Sequence, residues 1–206
     1  LLVLSPVIIS SQKTDEFYFK SGNIKLDNKD YYGAIAEYTK SIKLSPYDAG
    51  TYYNRGLAKY NLNDYQGSIL DYSEAIKIKS DYTKAYFNRA LSKSKLEDYY
   101  GSIADFSKAI ELDPNDANCA IAYYNMGIAK ERLKDYNGAI SDYTKAINIK
   151  SDYANAYQNR GRLKGFLKDY QAGIDDYNKA IVINPDDSDF YFNRALLKGV
   201  LEQNTC

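Results

Sequence analysis

Five asparagines, Asn54, Asn88, Asn125, Asn159 and Asn193, recur at intervals of 34, 37, 34 and 34 residues. A carboxamide offers both a donor and an acceptor, so a row of them can hold an extended peptide backbone without reading its side chains. The same residues also suit an architectural use, each amide bonding a neighbouring helix and positioning the next repeat. Both uses stay open at this level.

Covalent and acid–base chemistry is poorly provided for. The 206 residues contain no His, which removes the commonest general base and the commonest metal ligand. Cys119 and Cys206 are the only thiols and neither has metal-ligand spacing, so two free thiols are expected rather than a disulfide framework or a zinc site. No phosphate-binding GxxxxGK, GxSxG elbow or GxGxxG after a strand occurs. The sequence therefore predicts no enzyme, no metal and no cofactor. Lys+Arg and Asp+Glu both count 27, so no general attraction to nucleic acid or to an anionic membrane is implied.

The elements that would position the amides come from comparing the chain with itself. DYYGAIAEYTKSI from Asp30 returns with small changes at Asp64, Asp98, Asp135 and Asp169. A second pattern precedes each copy: TYYNRGLAK from Thr51, then its equivalents from Ala85, Ala122, Ala156 and Phe190, with a degenerate first version from Phe17. Apolar and small residues three and four apart make each half an amphipathic helix of about fourteen residues. The aspartates opening the second pattern sit at its N-cap, and Pro46, Pro114 and Pro185 follow its end. Ser80 and Ser151 take that place in the other units, an alternation that points to an ancestral two-unit block.

Small residues, Gly22, Gly56, Ala90, Gly127, Gly161 and Ala195 on the first helix and Ala75, Ala109, Ala146 and Ala180 on the second, let the axes approach. Fifteen of the 23 Tyr fall in three recurring slots, exemplified by Tyr52, Tyr65 and Tyr72. An aromatic repeat at helical spacing reads as packing, with hydroxyls reaching the rim of each layer. Acids recur at Glu37, Asp71, Asp105, Asp142 and Asp176, facing Arg and Lys four apart, as in Arg55 and Lys59 with Asp71. A ladder of charge pairs is expected, worth about 0–1 kcal/mol per rung if exposed.

The spacing and residues resemble the tetratricopeptide repeat, a 34-residue helix–turn–helix with large aromatics and small residues in fixed order. Unit three carries most of the pattern, as Tyr86, Ala90, Tyr99, Phe106, Ala109 and Pro114. Tyr stands where the family has Trp, and Arg55, Arg89, Arg160 and Arg194 stand where it usually has Leu. The resemblance covers Asp15 to about Gln203 and implies an all-α fold, a right-handed α-solenoid or superhelix of antiparallel helix pairs. Its units are 15–48, 49–82, 83–116, 120–153 and 154–187, with a half-repeat at 188–203, a tail at 204–206 and an apolar segment at 1–14.

The resemblance also implies function: a non-enzymatic scaffold that binds a protein or peptide partner in a groove lined by the first helices. The asparagine row is similar to the asparagine ladder of some family members. Beside it, Tyr53, Phe87, Tyr124, Gln158 and Phe192, preceded by Phe19, form one groove row, and Leu57, Leu91, Ile128, Arg162 and Leu196 another. This lining suits an extended or helical segment with a few hydrophobic anchors. The carboxylate clamp of chaperone-binding members is matched at Asn23, Asn54 and Lys84 but not at Phe19 and Asn88, although Lys20 and Arg89 are adjacent. The alternative is a structural spacer or oligomerisation module that self-associates through the solenoid ends.

Two local features remain. Ala117, Asn118 and Cys119 are extra before a helix expected near Ala120; they either lengthen the turn or extend that helix, with Cys119 accessible. Leu1–Ser11 is too short to span a bilayer and has the length of a signal-peptide core, which would mean a periplasmic or secreted protein. Read instead as a strand or cap over the first helix, it leaves a cytoplasmic protein. The final EQNTC lacks the start of another second helix, so the half-unit is a solvating cap or the chain is a fragment.

Overall fold

The computed structural model describes residues 14–204; the segment Leu1–Ser11 and Cys206 lie outside the described residues. Among the described residues there are eleven α-helices and no strand: α1 (Asp15–Asp27), α2 (Tyr31–Leu44), α3 (Ala49–Asn61), α4 (Tyr65–Ile78), α5 (Thr83–Lys95), α6 (Tyr99–Leu112), α7 (Cys119–Arg132), α8 (Tyr136–Ile149), α9 (Ala154–Phe166), α10 (Tyr170–Ile183) and α11 (Ser188–Asn204). Residues up to Ala85 form one compact unit and residues from Tyr86 a second. In the first, α1 pairs with α2 and α3 with α4, and α2 packs on α3. In the second, α7 pairs with α8 and α9 with α10, α6 and α8 pack on the helices that follow them, and α11 lies on α10. This is the all-α solenoid architecture of helix–turn–helix pairs that the repeat implied.

The turn within each pair is made twice over by one aspartate. Lys29, Asn63, Glu97, Lys134 and Lys168 adopt left-handed φ of 61° to 68°, the conformation that closes a helix by a Schellman motif. The next residue's amide then reaches back to the first helix, as in Asp30 N to Lys25 O at 2.8 Å and Asp64 N to Lys59 O at 3.0 Å. The same Asp caps the second helix: its carboxylate accepts the amide of Gly33 at 3.0 Å, Gly67 at 2.9 Å, Gly101 at 3.0 Å and Gly138 at 3.0 Å. A Cβ on any of those glycines would collide with the carboxylate. The fifth copy tests this, because Ala172 stands in that place and Asp169 makes no side-chain cap bond. A glycine follows one residue later, where Gly173 lets α10 approach the backbone of α9 at Gly161.

Between the paired helices, a small residue on the first accepts a ring from the second. A Cβ on Gly56 would lie 2.9 Å from Tyr72, and one on Gly22 or Gly127 would lie 2.5 Å from Tyr38 or Tyr143. Those rings, with Phe106 and Tyr177, are almost wholly buried. At the other end of the ring, the Tyr38 hydroxyl donates to Asn23 at 2.7 Å and that of Tyr143 to Glu131 at 3.3 Å.

The charge ladder exists, and its acid ends are buried rather than exposed. Asp71, Asp105 and Asp176 are 3%, 5% and 4% exposed, so loss of one partner would strand a buried charge, at a cost above that of breaking a surface pair. Arg55 grips Asp71 with Nε at 2.9 Å and Nη2 at 2.6 Å, and Lys59 adds a contact at 2.8 Å. Arg89 and Lys93 hold Asp105, and Arg160 and Lys164 hold Asp176, in the same way. The remaining guanidinium nitrogen reaches the preceding repeat, from Arg55 to Thr39 Oγ1 at 3.2 Å and from Arg160 to Thr144 Oγ1 at 3.0 Å. Each hydroxyl donates to a carbonyl one turn back, leaving its lone pairs for the arginine. Each arginine also covers a Tyr ring three residues earlier, Tyr52 at 5.5 Å and Tyr157 at 5.4 Å. Two layers depart. Glu37 pairs with Lys40 instead, and Asp142 faces Met126 in the Arg slot and keeps Lys130 at 2.6 Å. In those layers Lys40 and Lys145 cover the rings of Tyr18 and Tyr123 in place of the guanidinium.

The three-residue insertion mostly lengthens the turn, since α7 gains only Cys119 at its start. Cys119 is buried, not accessible: it is 4% exposed, and its Sγ donates to Asp113 O at 3.2 Å. Burial, with the charges of Asp116 and Asp113, pushes its thiol pKa up.

Two outcomes follow for urea denaturation. Asp64→Ala lowers stability by about 1 kcal/mol, whereas Asp169→Ala, which has no cap bond to lose, changes it by much less; equal losses would contradict the role given to the N3 glycine. Asp105→Asn removes the buried counter-charge of Arg89 and Lys93 and lowers stability by about 3 kcal/mol; a loss within the surface-pair range would show that the rung is solvated.

Candidate functional site

The first helix of each pair carries the residues expected to bind a partner, and their own bonds sort them into two kinds. In the first unit, Asn54 donates to Asn23 Oδ1 at 3.0 Å, the same oxygen that accepts the Tyr38 hydroxyl. In the second unit, Asn159 donates to the Tyr124 hydroxyl at 3.2 Å. These two amides join consecutive repeats. Asn125 and Asn193 instead donate to carbonyls one turn back on their own helices, Ile121 at 2.8 Å and Asp189 at 2.7 Å. Their amide oxygens accept from no donor among the described residues and can take an N–H from outside. Asn88 lies partly buried on α5.

The neighbouring aromatic row is rooted in the core while keeping an exposed edge. Tyr53 packs on Tyr72 and Tyr82 with centroids 5.7 and 5.1 Å apart, and Tyr124 packs the same way on Tyr143 and Tyr153 at 5.7 and 4.9 Å. Phe87 meets Phe106 edge-on at 5.3 Å, and Phe19 leans on Tyr38 in the first unit. Tyr82 and Tyr153 belong to the two units that end in Ser-Asp-Tyr rather than Pro, so the alternation between units supplies or withholds a ring behind the row. Gln158 is partly buried, and Phe192 is 64% exposed. Leu57, Leu91 and Ile128 are partly buried and Leu196 is exposed. Arg162 breaks the apolar row and pairs with Glu131 at 2.6 Å.

Lys84 is exposed on α5. The two cations adjacent to the unmatched clamp positions are already engaged: Lys20 with Glu16 at 2.7 Å, and Arg89 with Asp105. Thr39, Thr144 and Asn178, which accept from Arg55, Arg160 and Arg194, were not singled out from sequence. A signal was present, since a Thr, Ser or Asn follows the buried ring in every unit, from Tyr38-Thr39 to Tyr177-Asn178. Among the described residues no cluster of His, Cys, Asp and Glu could hold a metal ion, and no helix is long and apolar enough to cross a membrane.

With five hairpins and their repeated packing established, the sequence profiles are decisive. Tetratricopeptide repeat models match residues 81–152, and again 49–82 and 154–187, and a TPR repeat model matches residues 22–63. The chain is a tetratricopeptide repeat protein. Solved structures agree on the fold. A MamA crystal structure superposes with a TM-score of 0.78 at 22% identity, covering 83% of this chain and 92% of that one. YrrB, described as a TPR protein with an unusual peptide-binding site, gives 0.76 at 20% identity, covering 86% and 90%. The first TPR domain of Spaghetti (RPAP3), bound to the HSP90 peptide SRMEEVD, gives 0.55 at 26% identity, covering 63% and 99%. No curated protein matches the sequence.

The tyrosines behind the row give this tetratricopeptide repeat protein an alkaline limit. Burial raises the pKa of Tyr153 and Tyr177 to about 12, with Tyr124 adding to the shift at Tyr153. Burial also raises Tyr38, Tyr72 and Tyr143 well above the ordinary phenol value of 10.0. In that window the unfolded chain holds fewer protons than the folded one, so stability is full below about pH 10 and falls as pH rises toward about 12. Urea midpoints should be level up to about pH 9 and decline above pH 10; a level profile to pH 11 would show that the rings are solvated.

Proposed function

We propose that this protein is a non-catalytic scaffold whose first helices bind an extended or helical peptide segment of a partner protein. The observation that carries the reading is the occurrence of core-rooted aromatic edges, Phe87 and Tyr124, and of the exposed ring of Phe192 on the same helices as amides that have an unused acceptor, Asn125 and Asn193, in the second unit. Rings supply rigid apolar contact and the amides hold backbone N–H groups, a combination tolerant of the ligand's side chains. Arg162 and Glu131 add one polar position, so the partner segment carries a polar residue where it passes α9.

The test is selection of binders from a displayed peptide library, followed by titration against variants. Asn125→Ala with Asn193→Ala should weaken the selected peptides tenfold or more, at about 1 kcal/mol per amide, with the thermal midpoint unchanged because both amides bond only their own helices. Peptides that bind the double variant as well as the parent would refute the site. Asn54 and Asn159 differ in kind: their loss lowers stability as well. The RPAP3 complex makes the peptide SRMEEVD a natural library member, with Lys84→Ala as its control. A structural spacer that self-associates through its ends is the alternative. It would show concentration-dependent sedimentation and indifference to both asparagine changes.

A further inference from the structure

Two arginines on α9, two residues apart, are used very differently. Arg160 spends its whole guanidinium on architecture, as Arg55 does in the first unit: Nε and Nη2 grip the buried acid of the same hairpin, and Nη1 reaches a threonine of the preceding repeat. Arg162 makes one bond, from Nη2 to Glu131 Oε2 of α7 at 2.6 Å. Its Nε and Nη1 meet no acceptor among the described residues. It also interrupts an aliphatic row, standing where other repeats have Leu57, Leu91 and Ile128. Those repeats build the same layer with a hydrocarbon, so the helix pair does not require a cation there.

Glu131 is the better shielded of the two, its side chain 23% exposed against 47% for Arg162. Its Oε2 also accepts the Tyr143 hydroxyl at 3.3 Å. A neutral amide performs that task in the first unit, where the Tyr38 hydroxyl donates to Asn23, so seating the ring does not call for a charge. The dyad belongs to the groove site. Tyr124, a member of the aromatic row, is close enough for both charges to act on its hydroxyl, and the buried Tyr143 and Tyr177 are close enough to feel that of Arg162. Beside buried rings, a charge is screened less than it would be in open water.

We propose that Arg162 selects an acidic side chain, Asp or Glu, in the partner segment, and that Glu131 is the internal carboxylate with which that residue competes. This inference rests on the groove reading and names the chemistry of its ligand. Glu131 takes a single hydrogen of Nη2, so the other Nη2 hydrogen, with Nε or Nη1, keeps a forked edge for a second carboxylate, the contact Arg55 makes to Asp71. Charge complementarity selects this occupant. A cationic ligand residue would have to seek the less exposed member of the dyad beside an arginine, and an apolar one would cover free guanidinium donors without giving them an acceptor.

The test compares two displayed libraries of random peptides, joined to their carrier through the C-terminus so that no terminal carboxylate is present, one of them encoded without Asp and Glu. The complete library should yield binders that share an acid at one position. Synthetic copies with amidated C-termini, titrated with the whole chain, should bind about tenfold more weakly when that acid is replaced by its amide. Glu131→Gln keeps an acceptor for Tyr143 and Arg162 and removes the competing charge, so the acidic peptides should tighten about threefold; an Arg162 that serves only to neutralise Glu131 predicts no tightening. The neutral pair Glu131→Gln with Arg162→Gln should bind acid and amide peptides equally, at an unchanged thermal midpoint. Three results would overturn the proposal while leaving the groove reading intact: equal binding of acid and amide peptides to the parent chain, acid-free binders of matching affinity that are lost in Asn125→Ala with Asn193→Ala, or binding that needs a free C-terminal carboxylate. Binders from neither library would refute both readings.

Discussion

The carboxylate buried between two helices is the constraint on which the rest of the structure depends. An acid as enclosed as Asp71 or Asp176 is tolerated only with its charge met at close range, and the chain meets it from one helix with an arginine and a lysine one turn apart. That requirement fixes the register between paired helices, because a displacement by one residue would leave the carboxylate facing apolar side chains. It also fixes the next repeat. The guanidinium has one nitrogen left over, and Thr39 or Thr144 receives it, so the ion pair within a hairpin becomes the bond between hairpins. A stack of such units needs no central core: each layer carries a ring, a small residue to accept it, and a charge cluster that sets its position.

The departures show which parts of this device are separable. Met126 removes the guanidinium but leaves the lysine, and Lys145 moves over the ring that an arginine would have covered. Ala172 removes the glycine on which the aspartate cap folds, yet the left-handed turn at Lys168 and its return bond are kept. Capping and turn closure are therefore independent, although one aspartate serves both. The insertion before α7 is absorbed in the turn because helix-to-helix packing is set by residues further along, at Gly127 and beyond.

Architecture and recognition compete for the same side chains. Polar residues on the first helices lie where a ligand would lie, but also within reach of the neighbouring repeat. Where an amide's partner belongs to another helix, as with Asn54 and Asn159, it is committed to the stack. Where it bonds only its own helix, as with Asn125 and Asn193, half of its hydrogen-bonding capacity is left for a ligand.

The sequence by itself determined the helix pairs, their boundaries to within a residue or two, the capping aspartates, the small-to-aromatic slots and the pairing of Arg and Lys with a particular acid. All of these are read from periodicity, because a helix fixes which residues share a face and a repeat copies that face. It could not say how deeply each pair would be buried, and so it left the exposure of the charge ladder open and placed Cys119 on the surface. Nor could it tell the linking asparagines from the free ones, since Asn54 and Asn125 occupy one slot of one pattern. What separates them is the residue one repeat away, Asn23 in one case and Leu91 at the corresponding place in the other, a relation across residues far apart in the chain. Burial and partnership are properties of the assembled layers, and only the tertiary structure decides them.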